Sequence, residues 1–371
     1  MALQDDGTIK FQDIVDEFGG NKPYSLSSYI RGGGKIPDIA QNSGIADAAT
    51  AGSNLSFSGF FGSVNAIVKA ISSGENVDLS DLFGDDWSSD VPKELEIESG
   101  ATVGSTDPTI PALIIASGMS GTLTIKNFGS IEGAGGNAGG GTGGDAILVD
   151  STNVSITNDG TIAAGGGGGG AGGQGGGGGQ GGGGEFEETE TEYLGGASTC
   201  GHGPCEREFG DDAYCAGDVT SRYHQACGNA GLFTCSECAI DKTTTTETDG
   251  GAGGSGGSGG SSGQGAGYSQ SATNGSSGSS GSAGATGGTN AGDGGSGGTG
   301  GAGGDGGSVG QSGDDGSSGN AGSTGANGNR TDGLAGESGS GGDSGGAAGF
   351  AIANFSNVSN YTNNGTELGR I

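Results

Sequence analysis

The stretch that decides the fold is Leu123-Thr-Ile-Lys-Asn-Phe-Gly-Ser-Ile131, which returns 31 residues later as Val154-Ser-Ile-Thr-Asn-Asp-Gly-Thr-Ile162. Each copy alternates apolar and polar residues, turns at Asn-x-Gly and ends in a second short alternating run, a pattern typical of two strands joined by a turn. A single unit would leave an unpaired strand edge and a bare apolar face, and stacked copies cover both. The repeat therefore predicts a solenoid-like or multi-sheet β stack.

The β pattern continues on both sides of this repeat. Ala146-Ile-Leu-Val149 is another strand-like run, and Gly144-Asp-Ala-Ile147 resembles Gly349-Phe-Ala-Ile352 near the end of the chain. Asn363-Asn-Gly-Thr366 likewise repeats the Asn-x-Gly turn. We therefore expect a β-repeat body over residues 101–164 that is completed by a C-terminal β segment over 350–371.

Three segments of very different composition separate these β pieces. Residues 165–184 are nearly all Gly, residues 185–248 contain all six Cys and both His, and residues 249–349 consist mainly of Gly, Ser, Thr and Asp. Gly occupies every third position from Gly292 to Gly328, thirteen times in succession. A period of three matches a helix with three residues per turn.

This period predicts that residues 249–349 form packed polyglycine II helices, with turns between them. Bare Gly faces would let neighbouring backbones approach closely and hydrogen-bond one another. A flexible or disordered linker and a collagen-like trimer are the alternatives. Collagen is disfavoured because residues 249–349 contain no Pro, whereas collagen needs it in abundance.

Two N-terminal segments have more ordinary apolar content. Residues 1–38 contain apolar residues at helical spacing followed by Gly19-Gly20, which predicts a short helix with a second apolar patch after it. Residues 39–100 contain Val64, Ile67, Val68 and Ile71, also at helical spacing, with Ser63 as a suitable N-cap. We predict a second helix here, and hence a small α-containing linker domain.

The composition excludes several classes of protein. Gly accounts for 96 of 371 residues, apolar residues for only 29%, and the net charge is -31. An ordinary α/β enzyme needs a larger apolar core, and so acidic a chain would repel nucleic acid. The longest apolar run, Ala112-Leu-Ile-Ile-Ala116, is too short to span a membrane. Met1-Ala-Leu-Gln-Asp-Asp6 lacks the features of a secretory signal, so we expect synthesis in the cytosol.

Several of these stretches resemble glycine-rich tail fibre and tail adhesin proteins of bacteriophages, in particular the long-tail-fibre adhesin of T-even-like phages. The resemblance lies in residues 91–105 and 117–136, in Asn158-Asp-Gly-Thr-Ile-Ala-Ala-Gly-Gly166, and in the ending Gly365-Thr-Glu-Leu-Gly-Arg-Ile371. The segment Gly7-Thr-Ile-Lys-Phe-Gln-Asp-Ile14 is similar to one at the start of phage virion structural proteins. The insert over 185–248 and this N-terminus depart from the adhesin pattern.

The resemblance implies a mainly β fold with packed polyglycine II helices, located in the phage tail or fibre and assembled in the host cytoplasm. It implies a tail fibre adhesin, not an enzyme, whose loops bind a bacterial surface receptor, protein or polysaccharide. Other phage tail or virion proteins would be its partners. A purely structural virion fibre or a head or tail decoration protein is the alternative, and a homotrimer and a monomer are both compatible with the sequence. Residues 1–38 would be the virion attachment segment, anchored by Phe11, Ile14, Val15, Phe18, Leu26 and Tyr29.

The Cys-rich insert allows three interpretations. Disulfides suit a virion protein, which matures outside the cell, and a unit with few apolar residues needs cross-links. Zinc is the rival, because Cys235-x-x-Cys238 and Cys200-x-His202-x-x-Cys205 have the spacing of metal ligands. Free thiols are the third. Structural zinc is therefore the one cofactor considered, and its candidate ligands or disulfide partners are Cys200, His202, Cys205, Cys215, His224, Cys227, Cys235 and Cys238.

Aromatic side chains are the candidates for receptor contact, because they are large and rigid. Tyr193, Tyr223 and Tyr268 are the three candidates. Phe209, Tyr214 and Phe233 fit better as a small core of the insert.

Acidic residues are abundant, but we predict no catalytic site. The cluster from Glu185 to Glu192 has the character of a solvated face, with cation binding as the alternative. Asp305, Asp314 and Asp315 lie in Gly-rich sequence without the apolar residue that a calcium-binding β-roll repeat needs. A polysaccharide depolymerase would need paired carboxylates in a groove, and no cleft-forming scaffold is evident.

Overall fold

The computed structural model describes most of the chain. The described residues are 3–4, 7–33, 35–38, 42–47, 55–194, 199–200, 219–222, 233–234 and 238–371, and the side chains of 191–241 are not among the described features. Among these residues, no helix is long and apolar enough to cross a membrane. The described residues form an N-terminal unit, a parallel β-solenoid and a glycine-rich domain.

The N-terminal unit is built around helix α1, Phe11–Phe18, which confirms the helix predicted there. The helix ends at Gly19, whose φ of 68° lies in the left-handed region that glycine tolerates. Its buried face joins Tyr29 and Phe60 in a small apolar core. Short 3₁₀ turns over Leu26–Ser28 and Phe57–Phe60 complete the unit.

The strands that follow fall into two groups, those of the solenoid and those of the insert. Solenoid strands before the glycine-rich region are β1 Ile67–Ile71, β2 Gly74–Glu75, β3 Val77–Asp78, β4 Lys93–Ile97, β5 Thr102–Gly104, β6 Leu113–Ile115, β7 Leu123–Asn127, β8 Ser130–Glu132, β9 Ile147–Val149, β10 Val154–Asn158 and β11 Thr161–Ala163. Insert strands are β12 Gly184–Leu194, β13 Thr199–Cys200, β14 Val219–Arg222, β15 Phe233–Thr234 and β16 Cys238–Thr248. The last solenoid strands are β17 Ile352–Ala353, β18 Val358–Asn363 and β19 Thr366–Leu368.

In the described part of the chain, the solenoid strands stack as successive coils of three parallel sheets. The sheet orders are β1-β4-β7-β10-β18, β19-β11-β8-β5-β2 and β17-β9-β6-β3. Leu123 pairs with Val154 and Asn127 with Asn158, so the two copies of the sequence repeat lie in register one above the other. The predicted stacking is confirmed, and β18 and β19 are the end strands of their sheets.

Alternating residues of β4, β7 and β10 are buried in the solenoid. Leu95, Ile125 and Ile156 occupy matching register positions on three neighbouring strands and are buried. The same column continues to Tyr361 in the last coil. The buried apolar residues of the solenoid are thus concentrated in one narrow core.

The helix predicted from Val64, Ile67, Val68 and Ile71 is wrong. Residues 67–71 form strand β1, which pairs in parallel with β4, and Val68 points outward with 41% exposure. Ile67 and Ile71 fit a two-residue period as well as a helical one, and pairing with β4 decides between them. A short helix, α2, does occur later, over Leu79–Phe83, where the Asp78 carboxylate accepts a hydrogen bond from the Ser80 amide at 2.8 Å.

The glycine-rich domain is an insertion at one corner of the solenoid. Residues 105–112, 133–146 and 164–351 each leave the second sheet and return to the third sheet in successive coils. The last of these connections contains most of the Gly-rich sequence and the Cys-rich insert. The chain therefore leaves the body after β11 and rejoins it at β17.

Within this domain, straight segments that are neither α-helix nor β-strand hydrogen-bond to one another at every third residue. The amides of Gly175, Gly178 and Gly181 each donate to carbonyls of Gly257, Gly254 and Gly251 at 2.8 Å. The same spacing recurs between all adjacent pairs of the segments 250–267, 272–287, 291–307, 312–328 and 332–349. Turns separate these segments, as expected.

Residues 165–184 form the central segment of the domain. In the described residues, this segment hydrogen-bonds to six others near its start, and each of the six also bonds to the next, so the ring around it is closed. Taken in order, these neighbours are 250–267, 291–307, 312–328, 332–349, 141–145 and 133–137.

The glycine content of each segment follows the number of its neighbours. A Cβ on Gly170, Gly176 or Gly178 would collide with a backbone carbonyl of an adjacent segment. The two shortest neighbours, 133–137 and 141–145, end beside Gly168 and Gly169, and one face of the central segment is open beyond them. Its non-Gly residues, Ala171, Gln174 and Gln180, all lie on that face, and both Gln side chains are exposed.

The outer segments obey the same rule. Segments 250–267 and 291–307 each contact four neighbours and carry mostly two Gly per triplet, whereas 272–287 contacts two and carries one. At domain edges, where a neighbour is missing, side chains supply the acceptor: Ser282 and Ser279 Oγ accept from the amides of Ser255 and Ser258 at 2.7 and 2.8 Å. Glycine is therefore required where backbones touch, and polar residues occupy the remaining positions.

Candidate functional site

The glycine-rich domain has a basal end at the solenoid and a tip at the opposite end of its segments. At the basal end, the turn that contains Tyr268 lies over Gly104 of β5, and the turn at Gly310 lies against Leu368 of β19. The tip consists of two turns, residues 288–290 and 329–331, together with Gly184 and Thr248, where the Cys-rich insert departs and returns. The insert is thus displayed at the end farthest from the solenoid.

The insert begins and ends in a long antiparallel hairpin, which we call the stem. β12 pairs with β16 over 11 residues, from Gly184 opposite Thr248 to Leu194 opposite Cys238. Strand β14 pairs with the other edge of β16. At about 3.4 Å per residue the stem spans about 37 Å, and its last pair, Leu194 with Cys238, lies at the end away from the tip turns.

The first strand of the stem is held at its root by two Asn side chains of the tip turns. Asn329 Oδ1 accepts from the Glu185 amide at 2.8 Å, and Asn329 Nδ2 donates to the Glu185 carbonyl at 2.9 Å. Asn290 Nδ2 donates to the same carbonyl at 3.1 Å. The backbone amide and the backbone carbonyl of Glu185 are therefore both hydrogen-bonded to side chains of the tip turns.

The second strand of the stem is held by the same two turns. Thr248 Oγ1 donates to the Thr289 carbonyl at 2.6 Å, and Arg330 Nη1 forms an ion pair with Glu247 Oε2 at 2.5 Å. The Gly183 amide donates to Thr331 Oγ1 at 2.7 Å, just before the stem begins. Each strand of the stem thus contacts both turns at its root.

The predicted acidic face lies on β12, the edge strand of the stem. Glu185, Glu187, Glu188 and Glu190 are exposed, and Glu190 lies opposite Lys242 of β16. Charged side chains on an edge strand discourage pairing with other chains. This gives the cluster a structural reason that requires no bound cation.

The acidic residues of the Gly-rich sequence have a structural role as well. Asp305 Oδ1 accepts from the Gly275 amide and Asp315 Oδ1 from the Gly345 amide, both at 2.8 Å. Asp293 Oδ1 does the same for Gly287 at 2.9 Å. These carboxylates bind the ends of neighbouring segments to each other.

The three predicted receptor-contact residues are not brought together. Tyr193 lies in β12 opposite Ala239, Tyr223 lies outside the described residues, and Tyr268 is half-buried at the basal end over Gly104. Tyr193 and Tyr268 are therefore at opposite ends of the glycine-rich domain. Their contact with a receptor stays a prediction.

The Cys and His residues mostly lie where the structure gives no description. Cys200 is in β13 and Cys238 begins β16. His202, Cys205, Cys215, His224, Cys227 and Cys235 lie outside the described residues. The choice between disulfides, zinc and free thiols stays open.

The predicted anchor residues form the core of the N-terminal unit. Ile14, Val15, Phe18 and Tyr29 are buried, whereas Phe11 and Leu26 are half-buried. The Phe11 ring meets those of Tyr24, Tyr29 and Phe57 edge to face. Phe57 is 42% exposed, so an aromatic surface lies beside Phe11; the anchor role itself stays a prediction.

The groups with a perturbed pKa lie in the solenoid rather than at the tip. Burial lowers the pKa of Lys93, which the charges of Asp86 and Asp90 partly offset, and Lys93 Nζ donates to carbonyls of Ser89, Val91 and Ser120 at 2.7–3.0 Å. Burial raises the pKa of Tyr361, as does its hydrogen bond to the Glu367 carboxylate. Burial within the solenoid is the main cause of both pKa shifts.

Sequence reasoning missed the residues that hold the stem. Thr289-Asn290 and Asn329-Arg330-Thr331 lie where the Gly triplets are interrupted, and such interruptions mark turns at the ends of segments. The sequence does not reveal which end of the domain each turn occupies. That assignment needs the order in which the segments pack.

A search of curated proteins finds no significant match. Among solved structures, the crystal structure of the gp37-gp38 adhesin tip complex of the bacteriophage S16 long tail fiber is similar at a TM-score of 0.34 and 18% identity, over 100% of this chain and 99% of that chain.

The family model described as phage tail fibre adhesin Gp38 matches residues 65–280. The match begins two residues before β1, covers the solenoid up to β11 and all of the insert, and extends over more than half of the chain. This chain is therefore a member of the phage tail fibre adhesin Gp38 family.

Proposed function

We propose that this tail adhesin binds a bacterial surface receptor through the insert at its tip, and that the glycine-rich domain is the rigid support of that insert. The observation that carries the proposal is the stem, which rises from the end of the domain farthest from the solenoid and is held by both tip turns. The receptor, protein or polysaccharide, would bind to the insert that this stem carries.

The support itself is proposed to be a bundle of polyglycine II helices. A three-residue hydrogen-bonding period, an absence of intrasegment helix bonds in the described segments, and close backbone contact at Gly positions all favour that conformation. Because the central segment has neighbours on every side at its base, it cannot bend without breaking several hydrogen bonds at once. A stiff support limits the conformational entropy lost when the tip binds.

Residues 1–38, which contact the segment before β1, are proposed to attach the adhesin to other tail or virion proteins. The aromatic surface beside Phe11 and Phe57 favours a protein partner, since exposed aromatic groups are enriched at interfaces. Membership of a tail adhesin family favours a role in attachment without catalysis.

Removal of the insert tests the receptor-binding role. Replacing residues 187–245 by Asn-Gly joins Phe186 and Thr246, which face each other in the stem, through a two-residue hairpin turn and keeps the root contacts. We expect phage carrying this variant to assemble and to lose adsorption to the host. Normal adsorption would refute the proposed role, and normal adsorption with fragile particles after deletion of the whole protein would favour the purely structural alternative.

A further inference from the structure

The inference concerns the contact between the turn at Asn329 and the first strand of the stem. Asn329 accepts a hydrogen bond from the Glu185 amide and donates one to the Glu185 carbonyl, at 2.8 and 2.9 Å. The Asn329 amide also donates to the Asn290 carbonyl at 3.0 Å, which joins the two tip turns. Asn290 adds a second donor to Glu185 at 3.1 Å.

An Asn side chain suits this contact for a chemical reason. β12 pairs with β16 on one side only, so alternate amides and carbonyls of β12 face outward along its free edge. A carboxamide carries an acceptor and a donor in one plane, and it therefore reproduces the hydrogen bonds of a neighbouring strand at one residue. Asp lacks the donor, and Ala lacks both groups.

The position of this contact makes it important for the direction of the stem. The stem is about 37 Å long, and the described residues 185–190 and 242–247 are exposed or half-buried along it, so its orientation depends on its root. The ion pair of Arg330 with Glu247 restrains the second strand at the same level. Any rotation at the root would be amplified at the far end.

We infer that Asn329, with Asn290, is a positioning residue that fixes the direction in which the stem presents the insert. This inference rests on the proposed receptor-binding function. It adds that binding depends on residues of the glycine-rich turns which themselves need not contact the receptor. The turns at the tip would then hold the base of the insert in one orientation.

The test compares Asn329→Ala with Asn274→Ala in the full-length protein. Asn274 is exposed in another segment of the same domain and forms no side-chain hydrogen bond within the described part of the chain, so its replacement is a matched control. Three quantities are measured: hydrogen exchange of the amides over residues 184–190, the midpoint of thermal unfolding, and the adsorption rate of phage carrying each variant.

We expect Asn329→Ala to speed exchange at residues 184–190 by about tenfold, the effect of losing two hydrogen bonds, and to slow adsorption while the unfolding midpoint stays unchanged. Asn274→Ala should alter none of the three. Unchanged exchange in Asn329→Ala would overturn the inference. So would faster exchange with unchanged adsorption, provided that the variant lacking residues 187–245 fails to adsorb.

The two proposals can fail separately. If the variant lacking residues 187–245 adsorbs normally, the receptor-binding role of the insert is refuted, and the exchange measurement on Asn329→Ala still decides whether this side chain holds the stem. If that variant does not adsorb and Asn329→Ala exchanges and adsorbs like the unaltered protein, the receptor role stands and the positioning role is refuted.

Discussion

Asn127 and Asn158 lie one above the other inside the solenoid, with Asn127 Nδ2 donating to Asn158 Oδ1 at 2.7 Å. Asn158 Nδ2 donates in turn to Asn363 Oδ1 at 2.9 Å, so the amide groups form a ladder through three coils. Asn127 and Asn158 are fully buried. Each Oδ1 also accepts from the Gly amide two residues later, at 3.2 Å, which explains why the repeated turn has the sequence Asn-x-Gly.

Replacement of the middle residue of this ladder, Asn158→Ala, should destabilise the solenoid. The change removes the acceptor of Asn127 and the donor to the Thr366 carbonyl at 3.1 Å, and leaves buried polar groups without partners. We expect the free energy of unfolding to fall by about 1–3 kcal/mol, measured by denaturant unfolding. Asn364→Ala is the control, because Asn364 is exposed, and a loss of equal size there would contradict this explanation.

Two adjacent glycines of the central segment should respond differently to alanine. A Cβ on Gly178 would collide with the Gly295 carbonyl, whereas a Cβ on Gly177 would meet only the Glu337 carboxylate at 3.1 Å, with the nearest backbone atom 3.9 Å away. Gly178→Ala should therefore lower stability by about 1–3 kcal/mol. Gly177→Ala should be neutral or stabilise slightly, because it restricts the unfolded chain.

Thermal unfolding of the two glycine variants provides the measurement. Equal effects at positions 177 and 178 would contradict the close packing of the central segment at Gly178 and its open face at Gly177. The comparison is well matched, since the two residues are consecutive and the substitution is the same.

The buried Lys93 should matter more than the neighbouring Lys126. Lys93 is 1% exposed and donates to three carbonyls, so Lys93→Met would leave those carbonyls without their donor. We expect a loss of about 1–3 kcal/mol on denaturant unfolding. Lys126→Met removes a half-exposed ion pair with Glu94 and should cost less than about 1 kcal/mol; the reverse order would contradict the assignment.

Tyr361 should make stability depend on alkaline pH. Burial and the hydrogen bond to Glu367 raise its pKa in the folded protein, so the folded state favours the protonated phenol. Its contribution, about 1 kcal/mol for a half-exposed hydrogen bond, is fully present below the unfolded pKa of about 10 and is lost as pH rises through the higher folded value. Tyr361→Phe should therefore be less stable than the unaltered protein at pH 8, with a difference that shrinks above pH 10. A difference independent of pH would contradict this.

Much of the solenoid could be predicted from the sequence, because its repeat has both a register and a turn. The match of Leu123–Ile131 with Val154–Ile162 predicted which strands stack. The segment at Ile67 was assigned wrongly, since Ile67 and Ile71 fit both a helical and a two-residue period, and only pairing with β4 distinguishes the two. The Asn ladder was not predicted, as nothing in Asn-x-Gly indicates that the amide points inward.

The conformation of the glycine-rich segments could be predicted from the sequence, but the order in which the segments pack could not. The triplet period indicated three residues per turn. The number of Gly per triplet, from one to nearly three, reflects how many neighbours a segment has. Ala171, Gln174 and Gln180 illustrate this, because they lie on the open face of the central segment. Which segment adjoins which depends on long-range packing. For the same reason the sequence did not reveal that Tyr268 lies at the base, over Gly104.

The most direct test of the whole account is hydrogen exchange in the central segment, over residues 166–182, in the intact protein. A packed support predicts strong protection of the amides of Gly169, Gly172, Gly175 and Gly178, which donate to carbonyls of the neighbouring segment at 2.8–3.1 Å, with rates similar to those of strands β7 and β10. Exchange of these amides at the rate of an unstructured chain would contradict it.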